Sequence, residues 1–480
     1  MKLPKFLPLF PHRVDIKFGT EGWRGVIAED FTFQNVRLVT QAIANYVIKE
    51  NLSSKGIVVG YDCRFLSSQF AKEVALVLSL NNINSYLASS PCTSPNLSFM
   101  ATRFGGGIMI TASHNPPEFN GIKFKANYGG SADEDIVNGI EVELRKLLTG
   151  EPLVIYLKDK NPYFNLIEVQ QPYMEWLYNW IEKNSEIKTF SGQVIVDPMH
   201  GSASGYFVKL LKDTQWDVKE IRSNINPSFG GVNPEPITQN LNLLAEAMKK
   251  NKAIIGIALD GDGDRIGVWD PGYGFINPQQ IFAILLYYLI KKGDRGAVVK
   301  TISTTQMIDI LAKKYGLKIY QTPVGFKHIC KVMLKKDVLI GGEESGGIGF
   351  RGHLPERDGI FAGLQILELI AKSQKPFSWW LNSLEEEIGR FYYKREDIHC
   401  ETAGVKEMLI KLKPSYILKE KVEEIIELDG KKFLMADSSW LLFRVSGTEP
   451  VVRIYAESRD KEKTDSLIKW AKELLIPATL

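Results

Sequence analysis

The sequence predicts an α/β protein in which three related α/β domains are followed by a smaller α+β domain. The chain has 480 residues, which is more than one hydrophobic core covers. A strand–helix–strand pattern recurs three times, and each time the last strand leads into a glycine-rich polar loop. The C-terminal part lacks this pattern. We therefore place the domains at residues 1–155, 156–272, 273–385 and 386–480.

The repeats consist of pairs of apolar strands, and the second strand of each pair ends in polar residues. Open α/β sheets bind ligands at the carboxyl ends of their strands, so these polar loops are the candidate functional loops. The tail instead alternates strands and turns over Lys431–Ser458 and then continues as a helix over Lys461–Leu475. The three strand pairs are Gly56–Asp62 with Gly107–Phe124, Gly192–Gly201 with Ala253–Arg265, and Gly296–Thr304 with Asp337–Gly347.

Composition excludes several classes of protein. The 59 basic and 56 acidic residues leave a net charge of +3, which predicts neither nucleic-acid nor membrane binding. Four scattered cysteines form no C-x-x-C pair, so a zinc or redox site is not expected. The apolar run Ile281–Ile290 is too short to cross a bilayer. Prolines interrupt the N-terminal segment, which argues against a secretory signal, and a cytoplasmic location is expected.

The stretch Gly107–Phe124 carries the first candidate catalytic residue. A buried strand over Ile108–Ile110 breaks into a polar loop, which lifts the hydroxyl of Ser113 out of the carboxyl edge of the sheet. Ser113 is therefore a candidate nucleophile, although an ordinary turn before a proline pair has the same composition. Serine hydrolase chemistry is disfavoured. There is no G-x-S-x-G elbow, and adjacent residues of an extended strand point to opposite faces, which places His114 poorly as a base.

The second loop is acidic. Asp260, Asp262 and Asp264 alternate with two glycines directly after a buried strand, so their carboxylates can converge on one hard cation. An EF-hand would need Gly at the sixth position and Glu at the twelfth, where this chain has Arg265 and Pro271. The EF-hand is excluded, whereas a solvated acidic turn without metal stays open. If a metal binds, a fourth ligand is needed, and a phosphoryl oxygen on Ser113 would supply it.

Three further segments are suited to binding phosphates and sugars. The glycine-rich segment Lys17–Thr32 places Arg24 on a tight turn, which fits a phosphate or a plain hairpin. The loop Gly341–Gly347 offers carboxylates and a hydroxyl, which fit sugar hydroxyls or a helix N-cap. The loop Arg444–Arg453 fits a phosphate cradle or a polar hairpin tip. By itself, Lys327 is interpreted as an exposed charge at the end of a strand.

These segments together resemble the motifs of the α-D-phosphohexomutase superfamily. The matching stretches are FGT-x-G-x-RG, TASHNP with Lys123, DGDGDR, GGEESGG with GHLPERDG, and RVSGTEPVVR, in the order of that family and over nearly the whole chain. The resemblance implies a TBP-like fourth domain and a central active-site cleft. It also implies that Ser113 carries a phosphoryl group and exchanges it with a hexose phosphate beside Mg²⁺ bound to the three aspartates.

The resemblance implies a role for each matching residue. Lys123 is the candidate general base and His353 a second one, while Arg24 lies near the phosphoserine and His114 orients its loop. Arg265, Lys327, Glu343 and Ser345 would bind the sugar. The residues that would grip the phosphate that is not reacting are Arg444, Ser446, Gly447, Thr448 and Arg453.

The residue types in the loop Gly341–Gly347, the predicted sugar loop, favour glucose phosphates as substrates. The chain has Glu344 and Gly347 where mannose and glucosamine members of the superfamily tend to have Met or Gln and His, so it resembles the phosphoglucomutase branch most. The expected reaction interconverts glucose 1-phosphate and glucose 6-phosphate through glucose 1,6-bisphosphate. Mannose phosphate, glucosamine phosphate and a non-catalytic sugar-phosphate-binding protein stay open. Hexose phosphates are the expected partners, and no oligomeric state is predicted.

Overall fold

A computed structural model describes residues 6–9, 16–19, 22–149, 153–156, 164–446 and 450–479. The first domain has a six-stranded sheet of order β2-β6-β5-β3-β4-β8, and β1 pairs separately with β7. Its strands are β1 (Phe6–Leu9), β2 (Trp23–Val26), β3 (Ile57–Tyr61), β4 (Ser85–Ala88), β5 (Gly107–Ile110), β6 (Phe119–Lys125), β7 (Leu153–Tyr156) and β8 (Asn165–Ile167). Its helices are α1 (Phe33–Lys49), α2 (Ser67–Leu80), α3 (Ser94–Ala101) and α4 (Glu134–Thr149).

The second domain has a five-stranded sheet of order β10-β9-β11-β12-β13. Its strands are β9 (Gly192–Asp197), β10 (Trp216–Glu220), β11 (Ile255–Leu259), β12 (Ile266–Asp270) and β13 (Gly274–Ile276). Its helices are α5 (Gln170–Lys183), α6 (Ser185–Thr189), α7 (Tyr206–Leu210) and α8 (Asn242–Asn251).

The third domain has a four-stranded sheet of order β15-β14-β16-β17. Its strands are β14 (Ala297–Thr301), β15 (Ile319–Thr322), β16 (Val338–Gly342) and β17 (Ile348–Phe350). Its helices are α9 (Pro278–Lys291), α10 (Met307–Lys314), α11 (Phe326–Met333), α12 (Gly359–Ser373) and α13 (Phe377–Ile388). Asn277 and Gln280 cap α9 reciprocally and Pro278 occupies its first turn, so this apolar segment begins as a well-defined helix.

The three α/β sheets share one plan. In each, three parallel strands are followed by an antiparallel one, in the orders β4-β3-β5-β6, β10-β9-β11-β12 and β15-β14-β16-β17. The predicted functional loops connect the third and fourth strands of each set, at the carboxyl end of a buried parallel strand. The predicted internal repeat is confirmed, and it places the three loops at equivalent positions of three sheets.

The fourth domain is an antiparallel sheet with two helices, as predicted for the α+β tail. The sheet has the order β18-β23-β22-β21-β20-β19. Its strands are β18 (Tyr392–His399), β19 (Tyr416–Ile417), β20 (Glu420–Ile426), β21 (Lys431–Met435), β22 (Trp440–Val445) and β23 (Val451–Ser458). Its helices are α14 (Ala403–Lys411) and α15 (Lys461–Thr479).

The hydrophobic cores show how the domains are joined. One continuous core runs through the second and third domains, where the buried helices α9 and α12 lie between their sheets. The first and fourth domains have separate cores. Strand β8 lies beyond the boundary predicted at residue 155 and pairs with β4, so we propose that the first crossing between domains follows β8. No helix in the described ranges is long and apolar enough to span a bilayer.

Candidate active site

The loops after β5 and β11 meet, although they are far apart in the sequence. The hydroxyl of Ser113 lies 2.7 Å from Oδ2 of Asp260 and donates a hydrogen bond to it. A Cβ added to Gly261 would lie 2.5 Å from the carbonyl oxygen of Ser113, so only glycine permits this approach. The candidate nucleophile and the acidic loop therefore share one site.

Ser113 has left-handed backbone geometry, with φ of 53°. Its N–H donates to Oγ1 of Thr111 over 2.9 Å, which helps to stabilise this uncommon conformation. His114 Nδ1 lies 3.4 Å from the hydroxyl of Ser113. The expectation that these neighbours point to opposite faces is wrong, because it assumed an extended backbone at Ser113.

The acidic loop is folded around one of its own carboxylates. Oδ1 of Asp260 accepts hydrogen bonds from the N–H groups of Asp264 and Arg265, each over 3.0 Å. Gly263 has φ of 72°, which glycine adopts without strain. All three aspartates are fully buried, and each offers a carboxylate oxygen within 4.8 Å of the others. The open alternative of a solvated acidic turn is therefore wrong.

Two carboxylate oxygens of this loop lack a hydrogen bond from the described chain and fit a hard divalent cation, and Nε of Arg265 lies 3.9 Å from one of them, Oδ1 of Asp264. Oδ1 of Asp262 and Oδ1 of Asp264 are buried and accept no hydrogen bond among the described residues. Unpaired buried carboxylate oxygens are costly unless a cation coordinates them. Burial, together with repulsion from the other two aspartates, raises the pKa of Asp260 well above its usual range. A divalent ion at this position would favour the ionised carboxylates.

Cationic side chains from two other domains reach the acidic loop. Nζ of Lys123, on β6, lies 2.9 Å from Oδ2 of Asp262, to which Ser94 also donates over 2.6 Å. Against the effect of burial, these partners hold the pKa of Asp262 well below its usual range. Nε of Arg357 donates to Asp264 over 2.7 Å, and its Nη1 donates to Glu343 over 2.9 Å. Arg357 thus connects the acidic loop with the predicted sugar loop.

Arg24 lies beside the loop that carries Ser113, residues 111–118 between β5 and β6, which we call the nucleophile loop. It is on β2, where it pairs with Gly121 of β6, and its Nη1 donates to Oδ1 of Asn115. This neighbourhood agrees with the position that the resemblance implies.

His353 is enclosed away from that loop. Its side chain is 1 % exposed, and its Nε2 lies 2.8 Å from Asp358. The rings of Trp176 and Phe361 pack against the imidazole, with centroids 4.2 and 4.8 Å away. Because aromatic rings and a carboxylate enclose it, we do not retain His353 as a candidate base, and Lys123 is the remaining one.

The sugar loop contacts the acidic loop through its backbone. Arg265 and Gly347 form an isolated antiparallel bridge, and Ile266 N–H donates to the carbonyl of Gly346 over 3.2 Å. A Cβ on Gly347 would lie 2.5 Å from Cδ of Arg357, so packing also requires glycine here. Glu343 is buried, whereas Ser345 is half-buried in the same loop.

Lys327 is not a strand-end charge. It lies in the first turn of α11, is buried, and has its Nζ 3.8 Å from Glu134 of the first domain. The interpretation from the residue alone is wrong, because the strand over Ile319–Thr322 ends before it and a helix begins after Gly325.

The fourth domain presents a row of charged residues. Arg444 on β22 faces Arg453 on β23, which in turn faces Asp397 on β18. Nε of Arg444 donates to Asp429, and the same Oδ2 accepts from the N–H of Val324 in the third domain, each over 2.9 Å. Like charges opposite each other destabilise a sheet, so this row indicates an anion site. Ser446 is buried at the end of β22, whereas Gly447 and Thr448 lie outside the described residues.

Several residues of the site were missed in the sequence. Arg64, Ser94 and Arg357 all contact the nucleophile or acidic loops, and Arg395 donates to Asp397 beside the arginine row. Arg64 follows the strand Gly56–Asp62, so the rule of carboxyl strand ends could have found it. The other three carry no comparable local signal.

This arrangement defines a class of protein. A serine hydroxyl beside a buried carboxylate cluster, with arginines and lysines converging from several domains, has the chemistry that phosphoryl transfer requires. The family models of the phosphoglucomutase/phosphomannomutase family match its α/β/α domains I, II and III at residues 15–150, 171–274 and 277–388, and its C-terminal domain at residues 402–469. The chain belongs to this family, and it is a phosphohexomutase, which is an isomerase.

Similar proteins are named for different sugars. A phosphoglucomutase/phosphomannomutase of Thermococcus kodakarensis is 30 % identical over 95 % of this chain and 98 % of its own. A phosphoglucosamine mutase of Carboxydothermus hydrogenoformans is 29 % identical over 94 % and 97 %. The crystal structure of a candidate phosphomannomutase from Thermus thermophilus is 33 % identical, covers 96 % of this chain and 99 % of its own, and superposes with a TM-score of 0.83.

Proposed function

We propose that this phosphohexomutase interconverts glucose 1-phosphate and glucose 6-phosphate, with Ser113 as the phosphoryl carrier and glucose 1,6-bisphosphate as the intermediate. One observation carries the proposal: the hydroxyl of Ser113 lies 2.7 Å from Asp260, which is one of a cluster of three buried carboxylates. In phosphoryl transfer, positioning and charge neutralisation supply most of the catalysis.

Asp260, Asp262 and Asp264 would hold Mg²⁺, which when bound neutralises charge on the transferring group and stabilises the serine oxygen. The Oδ1 atoms of Asp262 and Asp264, which accept no hydrogen bond from the residues that the structure describes, and the Oδ2 of Asp260 that contacts Ser113 are the donors available for it. Ser113 then gives its phosphoryl group to a free hydroxyl of the sugar and later receives the other phosphoryl group of the bisphosphate.

Lys123 is the residue that we assign to proton transfer. Transfer to a sugar hydroxyl releases a proton, and a group near the reacting atoms must accept it. The Nζ of Lys123 contacts the acidic loop at Asp262, and Ser113 contacts the same loop at Asp260. His114, 3.4 Å from the hydroxyl, orients the loop.

The remaining residues bind the substrate. Glu343 and Ser345 would contact the sugar hydroxyls, and Arg265 and Lys327 would help to hold the sugar phosphate. The arginine row of Arg444 and Arg453, with Ser446, would grip the distal phosphate. Because either end of the bisphosphate must occupy this cradle in turn, the site needs charge rather than a shape specific for one isomer.

The sugar preference has a second candidate. Glu344 favours glucose, and its Oε2 accepts hydrogen bonds from Ser303 and Thr301. Gly347 is a weaker argument for glucose, because close packing against Arg357 favours glycine at this position whatever the substrate. The relative named for glucosamine phosphate favours a phosphoglucosamine mutase as the alternative. Side-by-side kcat/KM values for glucose, mannose and glucosamine 1-phosphates decide, and a preference other than glucose would contradict our proposal.

The carrier role of Ser113 is tested by mass. We expect the intact protein, treated with glucose 1,6-bisphosphate, to gain one phosphoryl group that peptide mapping places on Ser113. Ser113→Ala should fold normally, because the change removes a single loop hydroxyl and leaves the apolar core intact, and it should lose turnover. Normal turnover by this variant, or a protein that never carries the phosphoryl group, would end the phosphoserine proposal.

A further inference from the structure

Arg64 lies directly beneath the nucleophile loop. It follows β3 in the first domain, and its side chain is completely buried. We propose that Arg64 is the positioning residue of this loop, and that its guanidinium holds the main chain that presents Ser113 to Asp260. This inference rests on the proposed role of Ser113 as the phosphoryl carrier.

The contacts of Arg64 with the loop are all with main-chain carbonyls. Its Nη2 donates to the carbonyl oxygens of Ser113 and Asn115, each over 2.6 Å. Its Nη1 donates to those of Pro116 and Phe119, over 2.8 and 3.0 Å. One planar guanidinium thus serves four acceptors, three in the loop after β5 and one in the first residue of β6. A lysine ammonium, which is a single point, cannot match this geometry.

The proline pair explains why the loop needs such a donor. The peptide groups that join Asn115 to Pro116 and Pro116 to Pro117 have no N–H, so they offer only acceptors. Buried acceptors without a partner cost stability, and of these two carbonyls only that of Pro116 accepts a backbone hydrogen bond among the described residues, from the N–H of Phe119 over 3.1 Å. Arg64 supplies the donor for the carbonyl of Asn115 and a second donor for that of Pro116, and it thereby fixes the direction of the chain after Ser113.

The position of Ser113 is fixed from two sides. Arg64 holds its carbonyl oxygen from the first domain, while Gly261 of the second domain packs against the same oxygen. The guanidinium also lies over the ring of Phe229, another residue of the second domain, with 4.9 Å to the ring centroid. Asp62, with its Oδ2 3.3 Å from Nε, compensates the buried charge. Arg64 therefore connects the nucleophile loop to the domain that carries the acidic loop.

The test is the conservative variant Arg64→Lys, which keeps the charge but loses the four-carbonyl geometry. Displacing a reacting group by about 1 Å can cost about 100-fold in rate, and we expect a loss of kcat of that order. The KM for the hexose phosphate should change less than about threefold, because the sugar and phosphate loops are in other domains. The phosphorylation of Ser113 by glucose 1,6-bisphosphate should slow in parallel with kcat.

Chemical rescue separates positioning from general stability. In Arg64→Ala, added guanidinium chloride at low concentration should restore part of kcat, whereas sodium chloride at equal ionic strength should not. Arg222→Lys is the matched control, because the side chain of Arg222 is also mostly covered and paired with an aspartate, Asp197, but belongs to the second domain. We expect that control to keep the wild-type kcat.

The outcomes are distinguishable. Wild-type kcat in Arg64→Lys, absence of guanidinium rescue, or failure of both variants to fold would overturn the positioning role. If the wild type gains a phosphoryl group on Ser113 while Arg64→Lys turns over normally, this inference alone fails. If the wild type gains none, the proposed function fails, and this inference fails with it.

Discussion

At the scale of single residues, the site depends on a close approach of two main chains. Ser113 adopts a left-handed conformation, which costs free energy for any residue with a side chain. The absence of a side chain at Gly261 lets the acidic loop reach the carbonyl of Ser113. In the sequence Gly261 resembles an ordinary turn glycine, but in the structure the packing of the two loops requires glycine at this position.

We predict that Gly261→Ala lowers both activity and stability. The added methyl would lie 2.5 Å from the carbonyl oxygen of Ser113, and overpacking of this kind costs about 1–3 kcal/mol. Because the loops must separate, kcat should fall at least about tenfold. Gly272→Ala is the control, since its Cβ would meet nothing nearer than 3.4 Å. Steady-state kinetics and urea unfolding measure both effects, and wild-type kcat in Gly261→Ala would contradict the prediction.

We also predict that Mg²⁺ stabilises the folded protein through the three aspartates. A cation would bind the oxygens of Asp262 and Asp264 that accept no hydrogen bond within the described ranges, and at 100 times its Kd a ligand adds about 2.7 kcal/mol. Chelation should abolish activity and lower Tm, and Mg²⁺ should restore both. Asp264→Asn should lose the Tm response, whereas Asp213→Asn, on the exposed surface, should keep it. A Tm that does not respond to Mg²⁺ in the wild type would remove the metal assignment.

At the scale of elements, strand register decides which charges become neighbours. The pairing of β22 with β23, and of β23 with β18, aligns Arg444, Arg453 and Asp397 across three strands. Two arginines side by side repel each other, and each also pairs with a carboxylate, Asp429 for Arg444 and Asp397 for Arg453. The arrangement is consistent with a site built for an anion at some cost to the stability of the domain.

We predict opposite effects of Arg453→Gln on binding and on stability. Loss of the guanidinium should raise KM for the hexose phosphate about tenfold or more, because charge-assisted hydrogen bonds to phosphate are lost. The free energy of unfolding should stay level or rise, because the repulsion with Arg444 is relieved. Lys394→Gln on β18, whose partner is the exposed Asp465, is the control and should change neither. An unchanged KM in Arg453→Gln would remove this residue from the cradle.

At the scale of the whole molecule, the third and fourth domains meet through a buried lysine. Nζ of Lys432, on β21, donates to the carbonyl of Ile302 over 2.8 Å and lies 3.8 Å from the centroid of the Trp440 ring. Burial, and then the charge of Lys300, lower the pKa of Lys432 to about 7, while Asp309, Glu457 and Glu424 act in the opposite direction.

The lowered pKa predicts that this interface gains stability as pH rises. In the unfolded chain a lysine keeps a pKa of about 10.4, so between about pH 7 and pH 10 the unfolded state binds more protons. From about pH 7 to pH 8 the wild type should gain about 1 kcal/mol from this group, and below about pH 7 its contribution levels off.

Urea unfolding monitored by tryptophan fluorescence at the two pH values measures this gain. Lys432→Met should lose the gain, whereas Lys431→Met, whose amine donates within the fourth domain to Leu409, should keep it. Equal pH dependence in the wild type and Lys432→Met would contradict the prediction.

Features set by residues close together in the sequence were predictable, whereas features set by tertiary contacts or by a single backbone conformation were not. The strands, the three glycine-rich loops and the α+β tail were predictable because apolar runs and turn residues are local signals. The orientation of His114 was not, because it depends on a single left-handed residue, Ser113. The enclosure of His353 was not either, because Trp176, which packs on it, belongs to the second domain.

The sequence by itself determined the family, the repeated domain plan and the chemistry of each loop, since these depend on residue types at short spacings. The tertiary structure alone decided which loops meet and what holds them. Arg64 serves the carbonyls of a proline-containing loop, and Arg357 connects Asp264 with Glu343. The reason is physical: a buried charge is stabilised by the partners that the folded chain brings within hydrogen-bond reach. Those partners are far away in the sequence, so the residues around the charge do not reveal them.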